Sequence, residues 1–137
     1  MNAEKYLEQI AILDRRIKNK TRDMERWRES AEYSSTDYGT ERVQSTGNKS
    51  RMENAIIRSL GLDEQIKKDV AKRNSIIADL DRLSETHIEP YSVLYGIYVL
   101  GQAYKDIALE MDKSLSWVRD NRKIGLIEVE KILEERK

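Results

Sequence analysis

Residues 104–123 have the sequence YKDIALEMDKSLSWVRDNRK, and the fold of the C-terminal third can be argued from them. Apolar residues recur at helical spacing on both sides of a short polar break, which predicts two short helices joined by a tight turn. Ala108 is small where the two helices would cross, and the β-branched Val118, ten positions later, would face the first helix from the second. The pattern predicts a helix-turn-helix, with Ser114 as the N-cap of its second helix.

The outward N-terminal face of the second helix is the part of such a motif that enters the major groove of DNA. Arg and Lys can pair with guanine O6 and N7, and Ser can contact a base or a phosphate. Within residues 114–123 three bases stand against one acid, a local charge of +2 in a chain of net charge 0. Tyr104 and Lys105 could hold phosphates at the start of the first helix. The predicted DNA-contact set is Tyr104, Lys105, Ser114, Ser116, Trp117, Arg119, Asp120, Arg122 and Lys123.

Three residues depart from the usual helix-turn-helix pattern. Asp112 stands at a turn position usually filled by Gly, which enters the left-handed backbone region more easily. Lys113 and Asn121 stand where apolar residues are more usual. A three-helix packing unit that makes no DNA contact is therefore an alternative interpretation. Trp117 either packs at the helix edge or stacks on a base.

The first 86 residues predict two long amphipathic helices joined by a loop. In the first, over about residues 3–32, apolar residues follow coiled-coil spacing that Lys20 interrupts. Because neither helix can bury its seam alone, we expect an antiparallel hairpin that pairs with a second copy, with a dimer favoured. The second helix, over about residues 51–84, carries one broad apolar stripe formed by Met52, Ile56, Leu60, Ile66, Val70, Ile77, Leu80 and Leu83.

Residues 33–50 are rich in Ser, Thr and Gly, which predicts a loop between the two long helices. The glycine and the backbone amides of this loop could wrap an anion, as a phosphate clamp or a polymerase contact. A flexible solvated connector is the other interpretation. The candidate anion or partner residues are Arg42, Gln44, Ser45, Gly47, Lys49 and Arg51.

Pro90 suits the first turn of a new helix and predicts a junction between two parts of the chain. The predicted fold class is all-α, a long antiparallel, coiled-coil-like hairpin followed by a small helix-turn-helix domain. The predicted domains are residues 1–86, for oligomerisation or partner binding, and residues 87–137, for DNA binding. One Pro, six Gly and 36% charged residues fit long, solvated helices.

The composition argues against an enzyme and against a metal site. The chain has no Cys and one His, which excludes disulfides, thiol chemistry and the usual zinc ligand sets. There is no Gly-rich phosphate loop, and the carboxylates lie along helices as solvated pairs. We expect no catalysis, no cofactor and no metal. The N-terminal residues lack the pattern of a signal peptide, and no apolar run approaches the roughly 20 residues that span a bilayer, so we expect a cytoplasmic protein.

The segment Tyr104 to Met111, followed by Ser114 and Trp117-Val118-Arg119, resembles the helix-turn-helix in the fourth region of bacterial sigma factors. Nearly the whole chain resembles the phage-encoded ArpU- and RinA-like late transcriptional regulators, which begin with a sequence like residues 1–7 and carry a segment like residues 42–47. The resemblance implies a phage or prophage protein that activates late genes in a Gram-positive host. Because nothing resembles the promoter-melting helices of a sigma factor, the protein would have to recruit or modify host RNA polymerase.

Two other functions fit the same pattern. A small terminase subunit also combines a helix-turn-helix with coiled-coil helices, although its DNA-binding unit usually comes first and it forms large rings. A pure interaction protein would bind a protein partner through the charged hairpin. For the favoured interpretation the predicted partners are double-stranded DNA, host RNA polymerase and a second copy. The operator, the choice between activation and repression, and exchange of helices between copies stay open.

Overall fold

The computed structural model describes residues 2–36 and 45–136, and every regular element within those ranges is helical. The all-α fold class is confirmed, with a long helix pair followed by shorter helices. None of the described helices is both long and apolar enough to pass through a lipid bilayer. The elements in chain order are α1 (Ala3–Thr36), α2 (Ser45–Asp81), α3 (Ile88–Leu94), a π-helical turn (Tyr95–Val99), α4 (Tyr104–Met111) and α5 (Leu115–Glu135).

The chain divides into two compact units, and the division does not fall at residue 86, where the sequence suggests a domain boundary. The first unit combines Met1–Asp14 with Lys72–Lys137, and the second unit is Arg15–Ala71. The helix-turn-helix segment therefore belongs to the same unit as the start of α1 and the last turns of α2. The physical reason is a shared apolar core, described below.

In the second unit, the residues of α2 that face α1 are spaced alternately four and three positions apart in sequence, as in a coiled coil. Ala55, Ser59 and Asp69 are buried on this line. The apolar stripe predicted for α2 is wrong in part, because Ile56, Leu60 and Val70 are 44%, 62% and 36% exposed. Apolar residues stand on two adjacent lines of this helix, and only one line packs on α1.

Lys20, which interrupts the apolar seam of α1, has a specific partner in the second unit. Its ammonium lies 2.8 Å from one carboxylate oxygen of Asp69, and the Arg16 guanidinium lies 3.9 Å from the other oxygen. Asp69 is 8% exposed, so its charge needs such partners. The polar residue that breaks the seam of α1 is thus matched by a polar residue in the seam of α2.

The loop predicted for residues 33–50 is too long, because α1 continues to Thr36 and α2 already begins at Ser45. Ser, Thr and Gly are weak helix formers, but propensity is a weak guide where no Pro interrupts the chain. Of the candidate loop residues, Ser45, Gly47, Lys49 and Arg51 lie within α2, which is at odds with a loop that wraps an anion. Arg42 and Gln44 lie outside the described residues.

The core of the first unit is built from four helices that are distant in sequence. One apolar cluster contains five fully buried side chains from these helices: Leu7 and Ile10 of α1, Leu80 of α2, Leu94 of α3 and Val129 of α5. Polar contacts hold the same helices at the edge of this core. The backbone amide of Ala3 donates to Glu130 Oε2 at 2.8 Å, and the buried Asp79 accepts hydrogen bonds from Tyr6 and Arg136.

Pro90 lies in the first turn of α3, as the sequence predicts, and it is buried. The π-helical turn continues α3, and the chain then reverses at Gly101, whose φ of +68° favours glycine. Helices α3 and α5 meet at Gly125, where an added Cβ would stand 2.6 Å from Leu94 Cδ1 and 3.3 Å from the Pro90 carbonyl oxygen. The missing side chain lets α5 approach α3 closely.

Candidate nucleic-acid interface

Helices α4 and α5 pack through the two residues that the sequence singled out. Ala108 is 7% exposed and Val118 is fully buried, in an apolar cluster with Ile107 of α4 and Val93 of α3. The small side chain of Ala108 leaves room for α5, and the stiff β-branched Val118 fills that room. Two helices joined by a tight turn are therefore present at these positions, and Val93 of α3 packs in the same cluster.

The turn between α4 and α5 places Asp112 in the left-handed region, with φ 54° and ψ 49°. The Asp112 amide donates to the Leu109 carbonyl at 3.2 Å, and the Lys113 amide donates to the Ala108 carbonyl at 2.9 Å. These two bonds make the Schellman motif that ends many helices. The residue that departs from the usual Gly thus adopts the conformation that Gly would have.

Ser114 caps α5 as the sequence predicts, since its hydroxyl oxygen accepts a 3.0 Å hydrogen bond from the Trp117 amide. Asn121, which stands where an apolar residue is more usual, is 8% exposed. Its side-chain amide donates to the Trp117 carbonyl at 2.9 Å, which satisfies the buried polar group within the helix. The start of α5 is therefore fixed by two side chains that bond to its own backbone.

The two aromatic members of the predicted DNA-contact set are half-buried and pack on the apolar cluster. Tyr104 and Trp117 both lie against the group that contains Val118. The Lys113 ammonium lies 5.7 Å from the centroid of the Trp117 ring, at cation–π distance. Of the two roles considered for Trp117, the structure shows packing at the helix edge. Lys113 is an exposed base that the predicted set omitted, although a Lys directly before an N-cap is visible in the sequence.

Arg122 does not belong on the outward face, which corrects the predicted DNA-contact set. Its guanidinium donates to Glu4 Oε1 at 2.7 Å and to the Tyr98 hydroxyl at 3.2 Å, and its side chain is only 21% exposed. Burial raises the pKa of Tyr98, so this hydroxyl keeps its proton beside the cation. Arg122 instead joins α5 to α1 inside the first unit. No local sequence signal indicates this pair, because Glu4 is 118 positions away.

The exposed part of the predicted set forms the free face of α5, with Lys105 at the start of α4. Arg119 and Lys123 are exposed, four positions apart and therefore on the same side of the helix. Because Glu4 neutralises Arg122, the local charge on this face falls from the predicted +2 to +1. We name the following exposed residues the α5 face: Ser114, Ser116, Arg119, Asp120 and Lys123.

No family model, curated protein or solved structure matches this chain. The assignment of a role to the α5 face therefore depends on its geometry and chemistry. That face offers guanidinium, ammonium and hydroxyl donors on one side of a helix whose other side is buried. Such donors suit phosphate oxygens and the acceptor edge of guanine.

Residues 2–36 and 45–136 contain no group of three or more His, Asp or Glu side chains placed to hold a metal ion. The single His, His87, has Nδ1 at 2.9 Å from the Thr86 hydroxyl and Nε2 at 3.8 Å from Glu128. The ring of His87 thus lies between the hydroxyl of the preceding residue and a carboxylate of α5.

Proposed function

We propose that this protein is a phage or prophage transcriptional regulator that binds duplex DNA through the α5 face and acts on host RNA polymerase. The proposal is supported by one observation above all. Ala108 and Val118 join α4 to α5 so that Arg119 and Lys123 stay exposed on the outer side of the second helix. An exposed recognition helix backed by two others is the arrangement with which helix-turn-helix proteins enter the major groove.

Arg119 of the α5 face and Lys105 of α4 would contact different parts of the DNA. The exposed Arg119 lies one turn inside the helix and could pair with a guanine edge in the groove. The exposed Lys105 lies at the N-terminus of α4, where backbone amides and the helix dipole favour a phosphate. With a net charge of 0, the protein would rely on these few bases, and its affinity should fall as the salt concentration rises.

The first test measures binding of the protein to labelled fragments of the genome that encodes it, over a series of salt concentrations. The proposal expects a protected site upstream of late genes. Arg119→Ala should weaken binding to that site by about 1–3 kcal/mol while binding to random DNA stays the same. Lys131→Ala is the matched control, because Lys131 is also an exposed base of α5 but is three turns further on.

Two results would count against the regulator. Equal binding by the wild type and by Arg119→Ala at the preferred site would remove the α5 face from the interface. A complete lack of binding to DNA at low salt would favour the alternative of a pure interaction protein that binds a protein partner.

A further inference from the structure

One side of α1 carries a row of basic residues that faces solvent in the second unit. Four exposed bases are spaced three, four and four positions apart, which places them on the same side of the helix: Arg15, Lys18, Arg22 and Arg26. We call these four residues the α1 basic line. The buried Met24 is two positions from both Arg22 and Arg26, so it lies about 200° around the helix from them. The line is therefore opposite the buried side of α1.

Most of the charge on the α1 basic line is not neutralised by nearby acids. Residues 15–22 contain five bases and no acid. In the part of the chain that the structure describes, Arg15, Lys18 and Arg22 form no ion pair, whereas Arg26 lies 2.8 Å from Asp23. Like charges one turn apart on a helix repel each other, so the line is unfavourable for the hairpin by itself. An anionic partner would remove that repulsion.

The two units of the chain differ in charge in the same sense. Residues 15–71 hold 13 bases and 10 acids, a net charge of +3. The rest of the chain, which includes the α5 face, holds 12 bases and 15 acids, a net charge of −3. Contacts between bases and phosphates supply most of the affinity of a protein for DNA of any sequence. The basic second unit is better suited to supply such contacts than the acidic first unit.

The length and composition of the α1 basic line favour a polyanion over other partners. Its first and last residues are 11 positions apart, which is about 16 Å of helix, so its four cations cannot meet at one small anion. The core of a protein interface is usually apolar or aromatic and poor in Lys. A helix that lies on a lipid surface inserts an apolar face, but the apolar Met24 of α1 is buried in the hairpin. Duplex DNA carries one charge per about 1.7 Å of its axis, which offers phosphates along the whole line.

We propose that the α1 basic line is a second DNA contact, which binds phosphates of the duplex in addition to the contacts made by the α5 face. This role rests on the proposed function, because it takes duplex DNA as the partner. Phosphate contacts carry no direct information about sequence, so the line would raise the affinity for every duplex alike. Preference for one site would then come from the α5 face.

The test measures how the affinity of the full chain for a short duplex of random sequence changes with salt concentration. The logarithm of the binding constant falls with the logarithm of the salt concentration, with a slope of about −0.9 for each phosphate neutralised. A triple variant with Arg15→Gln, Lys18→Gln and Arg22→Gln should therefore have a slope smaller in magnitude by about 2–3. Gln is a good helix former and the three positions are exposed, so circular dichroism should show the helix content of the wild type.

A second triple variant separates the position of the charges from the net charge of the protein. It carries Lys67→Gln, Lys68→Gln and Lys72→Gln, which remove three exposed bases of α2 and change the net charge by the same amount. Salt screens exposed charges that are more than about 10 Å apart, so this control should keep the slope within about 1 of the wild-type value.

Three results would overturn the α1 contact. An unchanged slope in the first triple variant would make an acidic protein the better candidate for the partner of the line. Equal losses in the two triple variants would show that only net charge matters. A wild type that binds no duplex would overturn the α1 contact and the proposed function together.

Arg119→Ala distinguishes failure of the α1 contact from failure of the α5 face. If Arg119→Ala loses the preference for the protected site while the first triple variant keeps its salt slope, only the α1 contact is wrong. If the first triple variant loses slope while Arg119→Ala keeps the preference, the α1 contact stands and the role of the α5 face is wrong.

Discussion

Arg122 of α5 donates a 2.7 Å hydrogen bond to Glu4 in the first turn of α1, although the two residues are 118 positions apart. The same guanidinium reaches Tyr98, at the end of the π-helical turn that continues α3. One side chain thus links three helical segments of the first unit. The next residue, Lys123, is exposed to solvent, so two adjacent basic residues of α5 differ in their surroundings.

Replacing Arg122 should therefore lower stability. Arg122→Ala removes the partner of the half-exposed Glu4 carboxylate and of the hydroxyl of the half-buried Tyr98, so the free energy of unfolding should fall by about 1–2 kcal/mol. Lys123→Ala, one residue further on, should change it by less than about 0.5 kcal/mol. Urea unfolding of both variants measures the difference. Equal effects of the two substitutions would contradict the assigned role of Arg122.

Two of the glycines within helices, Gly125 and Gly61, should respond to alanine in opposite ways. Gly125→Ala places a Cβ 2.6 Å from Leu94 Cδ1, and overpacking of this kind costs about 1–3 kcal/mol. Gly61→Ala, in α2, meets no atom within 4 Å and should stabilise the protein by about 0.5–1 kcal/mol through better helix propensity. Thermal unfolding of the two variants checks the signs. A stabilising Gly125→Ala would mean that α3 and α5 do not meet as described.

The turn before α5 offers a stabilising substitution. Asp112 is the one non-glycine residue of the described chain with a positive φ, so Asp112→Gly should raise the free energy of unfolding by about 1 kcal/mol. Lys113 does not have a positive φ, so Lys113→Gly relieves no backbone strain. It only makes the unfolded chain more flexible, which should lower the free energy of unfolding. Chemical denaturation distinguishes the two neighbours. The prediction fails if both glycine variants lose stability alike.

The hydroxyl of Tyr91 should lose its proton at a higher pH than an ordinary tyrosine. Burial, followed by the 2.9 Å hydrogen bond that its hydroxyl donates to Asp81, raises the pKa of Tyr91 from 10.0 to about 12. Because the folded state holds this proton more tightly than the unfolded state does, the stabilising effect is complete below pH 10. It is lost as the pH rises through about 12. The carbon-13 resonance of the Tyr91 ring, followed against pH, reports the midpoint.

Asp81→Asn is the control for that titration. It removes the carboxylate charge but keeps the burial, so the Tyr91 midpoint should move only part of the way back towards 10.0. A wild-type midpoint at the ordinary value would show that Tyr91 is more solvated than its position in the first unit implies.

Local patterns predicted the features that depend on neighbours in sequence. The Ala108 and Val118 spacing, the Ser114 cap and the Pro90 helix start are all confirmed, because each depends on residues within about three turns. The α2 stripe was wrong in part for a related reason. Periodicity locates apolar lines on a helix, but only the partner helix determines which line is buried, and Leu60 was assigned to the wrong one.

The sequence predicts those parts of the candidate site that depend on the register of a single helix, and misses those that depend on tertiary packing. The exposed bases of the α5 face follow from the register of one helix, so Arg119 and Lys123 could be placed from the sequence. The inward position of Arg122 depends on Glu4 and Tyr98, which tertiary packing brings to it. The composition of the first unit also depends on tertiary packing, because its core joins residues such as Leu7 and Val129 across most of the chain.

That shared core also sets the order of events during synthesis. The amide of Ala3 bonds to a side chain 127 positions later, so the first turns of α1 leave the ribosome long before their partners exist. Contacts between residues so far apart in sequence form slowly, and the apolar surface of α1 stays exposed until they form. Ile132 and Leu133 belong to the same cluster as Leu7 and Ile10, so this core is complete only after nearly all of the given sequence has been synthesised.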